Sequence, residues 1–379
     1  MLSRVFAAKA APQQAGCRQL DYYSWGETMN ALHSIARIAP AAVLAAMLAI
    51  PGGAAFGQAD DCKNRGQLDT LYCDENKDLV ADAPKDQKKW KNPSTLVFTY
   101  TPVEDPAVYE NAFKPFLDYL GKCTGKRVVY FAVQSNASEI EAMRAGRLHV
   151  GGFSTGPTGF AVNLAGAIPF AVKGDEKELQ GYNLIMIVKK GSPYQKLADL
   201  KGKKVAHTSP SSNSGHLAPQ VLFPPEGLAP GKDYQFVFSG KHDQSVKGVE
   251  SGDYDAAPVA SDVFYRMARR GEVKADDFRI IYKSPTFPTS SFAYAHDLAP
   301  EFAKRLTRCF YDYRFTPEMV KTFGGADRFF PITYQKDWAV VRKVAEETGT
   351  PFNRSAYEKE SAREAAARQK ALEAKAKKK

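Results

Sequence analysis

The stretch RVVYFAVQSNASEIEAMRAGRLHVGGFST, residues 127–155, reads as strand, helix, strand within one short span. RVVYFAV is β-branched and aromatic, the composition of a buried strand. SEIEAMRAGRL follows with Ser138 at its start and Glu141 three residues on, a capping-box pattern that predicts a short helix capped by Ser138. HVGGFST then returns to strand character. Strands that alternate with helices at such short spacing imply an α/β fold with a mostly parallel sheet.

The same alternation extends in both directions. Toward the N-terminus, STLVFTY (94–100) is a buried strand, TPVEDP a loop, and VYENAFKPFLDYLGKCTG an amphipathic helix ending at Gly121 or Gly125. Toward the C-terminus, GYNLIMIVKK (181–190) is a strong strand and opens a second series. This runs through LADLKG, KKVAHTS, a helix after a Ser-rich loop, YQFVFSG, a helix from Asp243, YDAAPVA, a helix from Ser261, and FRIIYKS. FPTSSFAYAHDL and the helix PEFAKRLTRCFYDYRF bring the chain back. A block inserted inside a flanking α/β unit gives two lobes joined by two hinge crossings. Each lobe is expected to hold a mostly parallel sheet flanked by helices. Lobe 1 is assigned to 93–188 and 284–350, and lobe 2 to 189–283. Such lobes close on a ligand between strand ends, where helix N-termini point into the crevice.

A chain of 379 residues with 44% apolar content supports about two domains of ordinary size. The net charge of +10 invites a nucleic-acid reading, but residues 361–379 carry +5 of it and residues 1–59 another +2. The remaining body, 60–360, is close to neutral and shows no basic stripe interleaved with aromatics, which sets nucleic acid aside.

Residues 29–59 read as a signal peptide. His33 and Arg37 precede the uncharged run from Ile38 to Ala59, whose apolar centre IAPAAVLAAMLAI is bracketed by Pro40 and Pro51 and closes with small residues at GQA. That centre is short for a spanning helix, which needs about 20 residues. Export with cleavage near Ala59 is therefore expected. Residues 1–28 are read as a mis-assigned upstream segment, with Met29 as the true start. Asp61 before Cys62 does not suit a lipid-attachment site, so a soluble protein is expected. Residues 60–92 form a polar N-terminal arm. Residues 351–379 form a basic tail of strong helix formers without a continuous apolar stripe, either a solvated helix or a frayed end.

Cys17 lies before the signal, which leaves Cys62, Cys73, Cys123 and Cys309. An even count in an oxidising compartment points to disulfides. Three pairings are open. Cys62–Cys73, closing a local loop, and Cys123–Cys309, tying distant parts of one lobe, are favoured. Cysteines spaced this widely make a poor zinc site, and no metal is expected.

The chemistry concentrates in HTSPSSNSGH, residues 207–216. Ser209, Ser211, Ser212, Asn213 and Ser214 crowd around Pro210 and Gly215 between a strand and a helix start. An oxyanion needs several short donors converging on its oxygens, and N–H groups at a helix start add donors and a favourable dipole. The other reading of this stretch is a flexible Ser-rich turn. His242, in FSGKHDQSV, sits at the same place in the next β–α unit, where an imidazole can donate and Asp243 can cap the helix. In lobe 1, Tyr100 and Thr101 end one strand, and Ser154 and Thr155 end another; Gly156 and Gly159 permit close backbone approach. Asp262 suits either helix capping or a ligand amine.

Together these segments resemble the phosphate/phosphite/phosphonate-binding periplasmic proteins of ABC transporters. The resemblance spans about residues 94–345 and rests on an ordered set: TPVEDP, EAMRAGRLHVGGFSTGPT, SPYQKLADLKGKKVAH, SPSSNSG, FSGKHDQSV, GDYDAAPVASDVF and KSPTFPTSSF. It implies a type II periplasmic-binding fold that closes by a hinge, a small-molecule oxyanion ligand, an ABC transporter permease as partner and no cofactor. A monomer is expected. It also implies that a Ser-Thr-Ser loop and the histidine of an SGxH motif hold the phosphorus-group oxygens. By position those roles fall on Ser212, Asn213, Ser214 and His242. Asn213 departs from the family's usual Thr, exchanging a hydroxyl for an amide. Phe153 stands where a polar aromatic sometimes sits.

Two other readings compete. The same fold serves as an oxyanion sensor, arsenite included, docking on a membrane receptor kinase. A Ser/His hydrolase is the enzyme alternative, but no GxSxG, HExxH or GK[ST] phosphate loop occurs. No enzymatic activity is expected.

Overall fold

A computed structural model describes residues 62–376. The expected upstream segment, the signal peptide and Cys17 lie outside the described residues.

β1 (Thr95–Tyr100) opens the body. α1 (Pro106–Thr124) follows, its Ala107 N–H met by the Asp105 carboxylate and its end turned by Gly125 at φ 68°. β2 (Arg127–Tyr130) leads to α2 (Asn136–Arg144). The capping box exists but is shifted from the sequence expectation: Ser135 is the N-cap, and Ser138 is the third helical residue that answers it. The helix starts earlier because Ser135 has an extended backbone and a hydroxyl within reach of the Ser138 N–H. β3 (Val150–Phe153), α3 (Thr155–Ala165) and β4 (Ala167–Gly174) complete this series.

The chain then enters a second sheet through β5 (Gly181–Lys189) and β6 (Lys204–His207). α4 (Ala218–Leu222), β7 (Gln235–Phe238), α5 (His242–Ser251), β8 (Ala256–Ala260), α6 (Ser261–Arg269) and β9 (Phe278–Pro288) follow. It returns with β10 (Ser291–Ala295), α7 (Pro300–Asp312), α8 (Pro317–Thr322) and β11 (Arg328–Pro331). α9 (Tyr334–Asp337), α10 (Ala339–Glu347) and α11 (Arg354–Ala376) end the described chain.

The two sheets run β11-β4-β10-β3-β1-β2 and β7-β6-β8-β5-β9. Both are mixed rather than mostly parallel. β1, β2 and β3 pair in parallel, as do β6, β7 and β8, because helices connect them. β10, β4 and β11 pair antiparallel in the first sheet, and β5 pairs antiparallel with β8 and β9 in the second. These are the strands around the two passages between sheets, where the chain doubles back. The lobe boundaries shift accordingly: residues 181–188 and 284–288, expected in lobe 1, belong to β5 and β9 of the second sheet.

The first lobe is held by an aromatic core in which Phe98, Phe113, Phe116, Phe292, Phe310 and Phe329 are all fully buried or nearly so. Among the described residues two disulfides occur, Cys62–Cys73 within the arm and Cys123–Cys309 between α1 and α7. The tail is helical as expected, but its start is packed rather than solvated. Phe352 and Tyr357 are buried, Phe352 stacks edge-on against Phe160, and the Tyr357 hydroxyl donates to the Ala137 carbonyl. Arg354 pairs with Asp69 of the arm. Further along, α11 lies beside β7 of the second lobe, while α10 touches both α3 and α4.

Candidate functional site

A cleft of about 40 Å³ lies between the two sheets. About 10–15 Å³ admits one water, so the space suits a few waters or a small tetrahedral group. Eight of the residues singled out from sequence border it: Tyr100, Ser154 and Thr155 from the first lobe, and Ser212, Asn213, Ser214, His242 and Asp262 from the second. Ser211 does not border it. Its hydroxyl accepts from the Asn136 amide at 3.2 Å, which bridges α2 to the Ser loop across the lobes. Phe153 is fully buried in the core and also stands apart from the cleft.

Helix starts bring these residues together. α3, α5 and α6 begin beside the cleft at Ser154, Lys241 and Ala260, and none of these three N-cap residues caps its helix with its own side chain, although on α5 the Asp243 carboxylate accepts from the Gln244 N–H and the Val103 carbonyl from the His242 N–H. α1 and α2, by contrast, are capped by Asp105 and Ser135. Orphan N–H groups at a buried helix end need an acceptor, and the macrodipole favours an anionic one. Asp243 and Asp262, expected as caps, instead occupy the second position of α5 and α6. The N-caps are Lys241 and Ala260 because their backbones are extended, and Asp262 turns to Arg266 at 3.4 Å.

In the Ser loop, Ser212 accepts from the Gly215 N–H at 3.1 Å and starts a single π-helical turn, Asn213–Leu217. Asn213 donates to the Tyr182 hydroxyl at 3.1 Å. Behind the loop, His207 contacts His216 at 2.9 Å and Tyr234 at 2.8 Å, a fully buried polar chain. The His242 Nδ1 accepts from the Ala260 N–H at 3.2 Å, so its proton resides on Nε2, which is left free to donate. Burial lowers this imidazole to about 4, so it is neutral at pH 7.

Lobe 1 approaches closely. The Thr155 hydroxyl donates to the Pro288 carbonyl at 2.9 Å, and the His242 N–H donates to the Val103 carbonyl at 3.2 Å. A Cβ on Gly156 would lie 2.2 Å from the Ser211 carbonyl oxygen. Gly159 serves a different neighbour, since a Cβ there would strike the Phe352 ring. Glu104, after β1, takes Arg266 of α6 at 2.6 Å and also Arg270, the C-cap residue of that helix. Burial alone would raise the Glu104 carboxyl, but the two guanidiniums outweigh it and hold it low. This ion pair joins the lobes at the rim that Arg266 shares with the cleft.

Several bordering residues escaped the sequence reading. Tyr182 was embedded in an apolar strand, Thr289 and Ser290 in the returning FPTSSF segment, and Arg266 on the helix expected from Ser261. The Ser-Ser pair of FPTSSF, at a point where the chain changes lobes, is the signal that could have marked Ser290.

A family model described as "ABC transporter, phosphonate, periplasmic substrate-binding protein" matches residues 98–338. The chain is 28% identical over 281 residues to the phosphate-import protein PhnD of Mycolicibacterium smegmatis, covering 69% of this chain and 85% of that one. It is 24% identical over 208 residues to the phosphonates-binding periplasmic protein of Escherichia coli, covering 54% and 62%. The solved structure of PhnD1 from Prochlorococcus marinus in complex with methylphosphonate superposes with a TM-score of 0.61 at 20% identity, over 68% of this chain and 99% of that one. The chain therefore belongs to the periplasmic substrate-binding proteins of phosphonate-type ABC transporters.

Proposed function

We propose that the cleft captures a phosphorus oxyanion, phosphate, phosphite or a phosphonate, and delivers it to an ABC transporter permease after export and removal of the signal peptide. The carrying observation is the convergence of three helix starts, none capped by the side chain of its N-cap residue, on a small cavity bordered by Ser212, Asn213, Ser214 and the neutral His242. Neutral donors bind such an anion tightly enough to capture it without trapping it. The names of the M. smegmatis and E. coli relatives, and the methylphosphonate bound by the P. marinus protein, favour this ligand class.

The geometry supports static donation rather than hydrolysis. A general base must present an unprotonated nitrogen to its nucleophile. His242 spends Nδ1 on a backbone N–H, which leaves Nε2 protonated toward the cleft. The arsenite-sensing variant is disfavoured too, because Cys123 and Cys309 are joined and offer no thiols.

Titration calorimetry with phosphate, phosphite, methylphosphonate, aminoethylphosphonate, sulfate and arsenite tests the reading. A phosphorus oxyanion should bind with the highest affinity. His242→Ala and Ser212→Ala should each weaken it without unfolding the protein. Loss of one hydrogen bond to a charged group is worth about 1.5–3 kcal/mol, or roughly 10- to 150-fold for His242→Ala. Normal affinity in both variants would remove these residues from the site.

A further inference from the structure

Lys173, on β4, is 1% exposed, and no carboxylate among the described residues pairs with its ammonium. Its Nζ donates to the Tyr100 hydroxyl at 2.6 Å. It lies 5.0 Å from the centre of the Tyr100 ring, 5.2 Å from that of Phe323 and 5.9 Å from that of Phe292. Aromatic faces soften the burial of a cation but do not neutralise it, and an uncompensated buried charge is costly.

Other charges near the cleft face opposite charges. Arg266 and Arg270 face Glu104 and Asp262, and Asp243 has Lys241 as its cationic neighbour. His242 is neutral. Lys173 has no such carboxylate partner among the described residues, and Tyr100 stands between it and the cleft. Because the Tyr100 oxygen accepts from Lys173, its own hydrogen remains available to an anion in the cleft that it borders.

Resting on the oxyanion reading above, we propose that Lys173 is a positioning residue that makes the cleft prefer a dianion over a monoanion of the same tetrahedral shape, acting through the Tyr100 hydroxyl. A buried charge acts over a longer range than one in water, so each extra unit of ligand charge gains from it. Lys173 also orients the phenol and strengthens it as a donor.

The test compares methylphosphonate, at a pH above its second ionisation, with methanesulfonate, which has the same shape and one charge less. Affinities are measured by calorimetry on the mature protein. The wild type should prefer methylphosphonate. Lys173→Met should lower methylphosphonate affinity roughly tenfold or more, as expected for an unscreened charge, and leave methanesulfonate nearly unchanged. The ligand-free variant should stay at least as heat-stable, and Lys173→Arg should restore the preference. Tyr100→Phe, with the lysine in place, should lose the same preference, and it carries the test alone if Lys173→Met does not fold. Equal weakening toward both anions would mark a structural role and overturn the proposal, as would an unchanged preference. A wild type that binds neither anion would overturn the functional reading and this one with it. Binding with the preference intact in Lys173→Met and in Tyr100→Phe would overturn this one alone.

Discussion

At the scale of single residues, the site is a set of close approaches that tolerate little extra volume. Gly156 on α3 faces the Ser211 carbonyl at a distance where any Cβ would overlap it. Gly156→Ala should therefore leave both lobes folded while preventing their full closure. Ligand affinity is expected to fall by roughly tenfold or more, with an unfolding midpoint within a few degrees of wild type. Calorimetry and thermal unfolding check both halves, and undiminished affinity would show that the observed closure is not the binding form. Such residues were unevenly legible. Ser212, Asn213, Ser214 and His242 could be read because strand ends and helix starts are visible as patterns, and polar residues placed there have few other reasons to cluster. Tyr182, Arg266 and Lys173 could not. Their neighbours in sequence look like core or solvated surface, and their meaning comes from residues up to 162 positions away.

Individual elements follow from sequence wherever local physics dominates. The Gly125 end of α1, one of the two expected, was within reach because left-handed glycines are a local requirement, whereas the helix starts at Pro106, two residues before the expected Val108 and inside the segment read as a loop. β5 was identified as a strand but placed in the wrong lobe. An apolar run announces burial and not its hydrogen-bonding partner, and only the pairing with β8 and β9 decides the matter. The mixed pairing of both sheets escaped for the same reason. On α1, Phe116 is fully buried and packs within 4.7–5.0 Å, centre to centre, of Phe310, Phe329 and Tyr313. Phe116→Ala should cost about 3–5 kcal/mol. Denaturant unfolding should show it as a lower midpoint at an unchanged slope; a loss under about 1 kcal/mol would mean the neighbouring rings collapse into the gap.

The molecule as a whole keeps several imidazoles neutral inside the fold, which links its stability to pH. Burial lowers His242 to about 4 and His216 to about 3, against an ordinary 6.5. Between 6.5 and 4 the unfolded chain takes up a proton at position 242 that the folded chain refuses. This contribution is therefore fully present above 6.5 and is lost as pH falls, by up to about 1.4 kcal/mol per pH unit. Glu139, fully buried and raised well above the usual carboxyl range by desolvation, works in the opposite sense. The clean observable is a difference: His242→Asn should flatten the stability profile between pH 6.5 and 4 relative to wild type. Parallel profiles from urea unfolding would contradict the buried, neutral assignment.

The C-terminal segment touches both sheets: Phe352 and Tyr357 are seated on the first lobe, and α11 continues to the edge strand β7 of the second. Two passages of chain already connect the lobes on their own, so this third attachment behaves like a door-stay on a hinge. It limits how far the shell can gape without preventing it from swinging. A protein so restrained would spend less of its time wide open, and solute could enter and leave only through a narrow aperture.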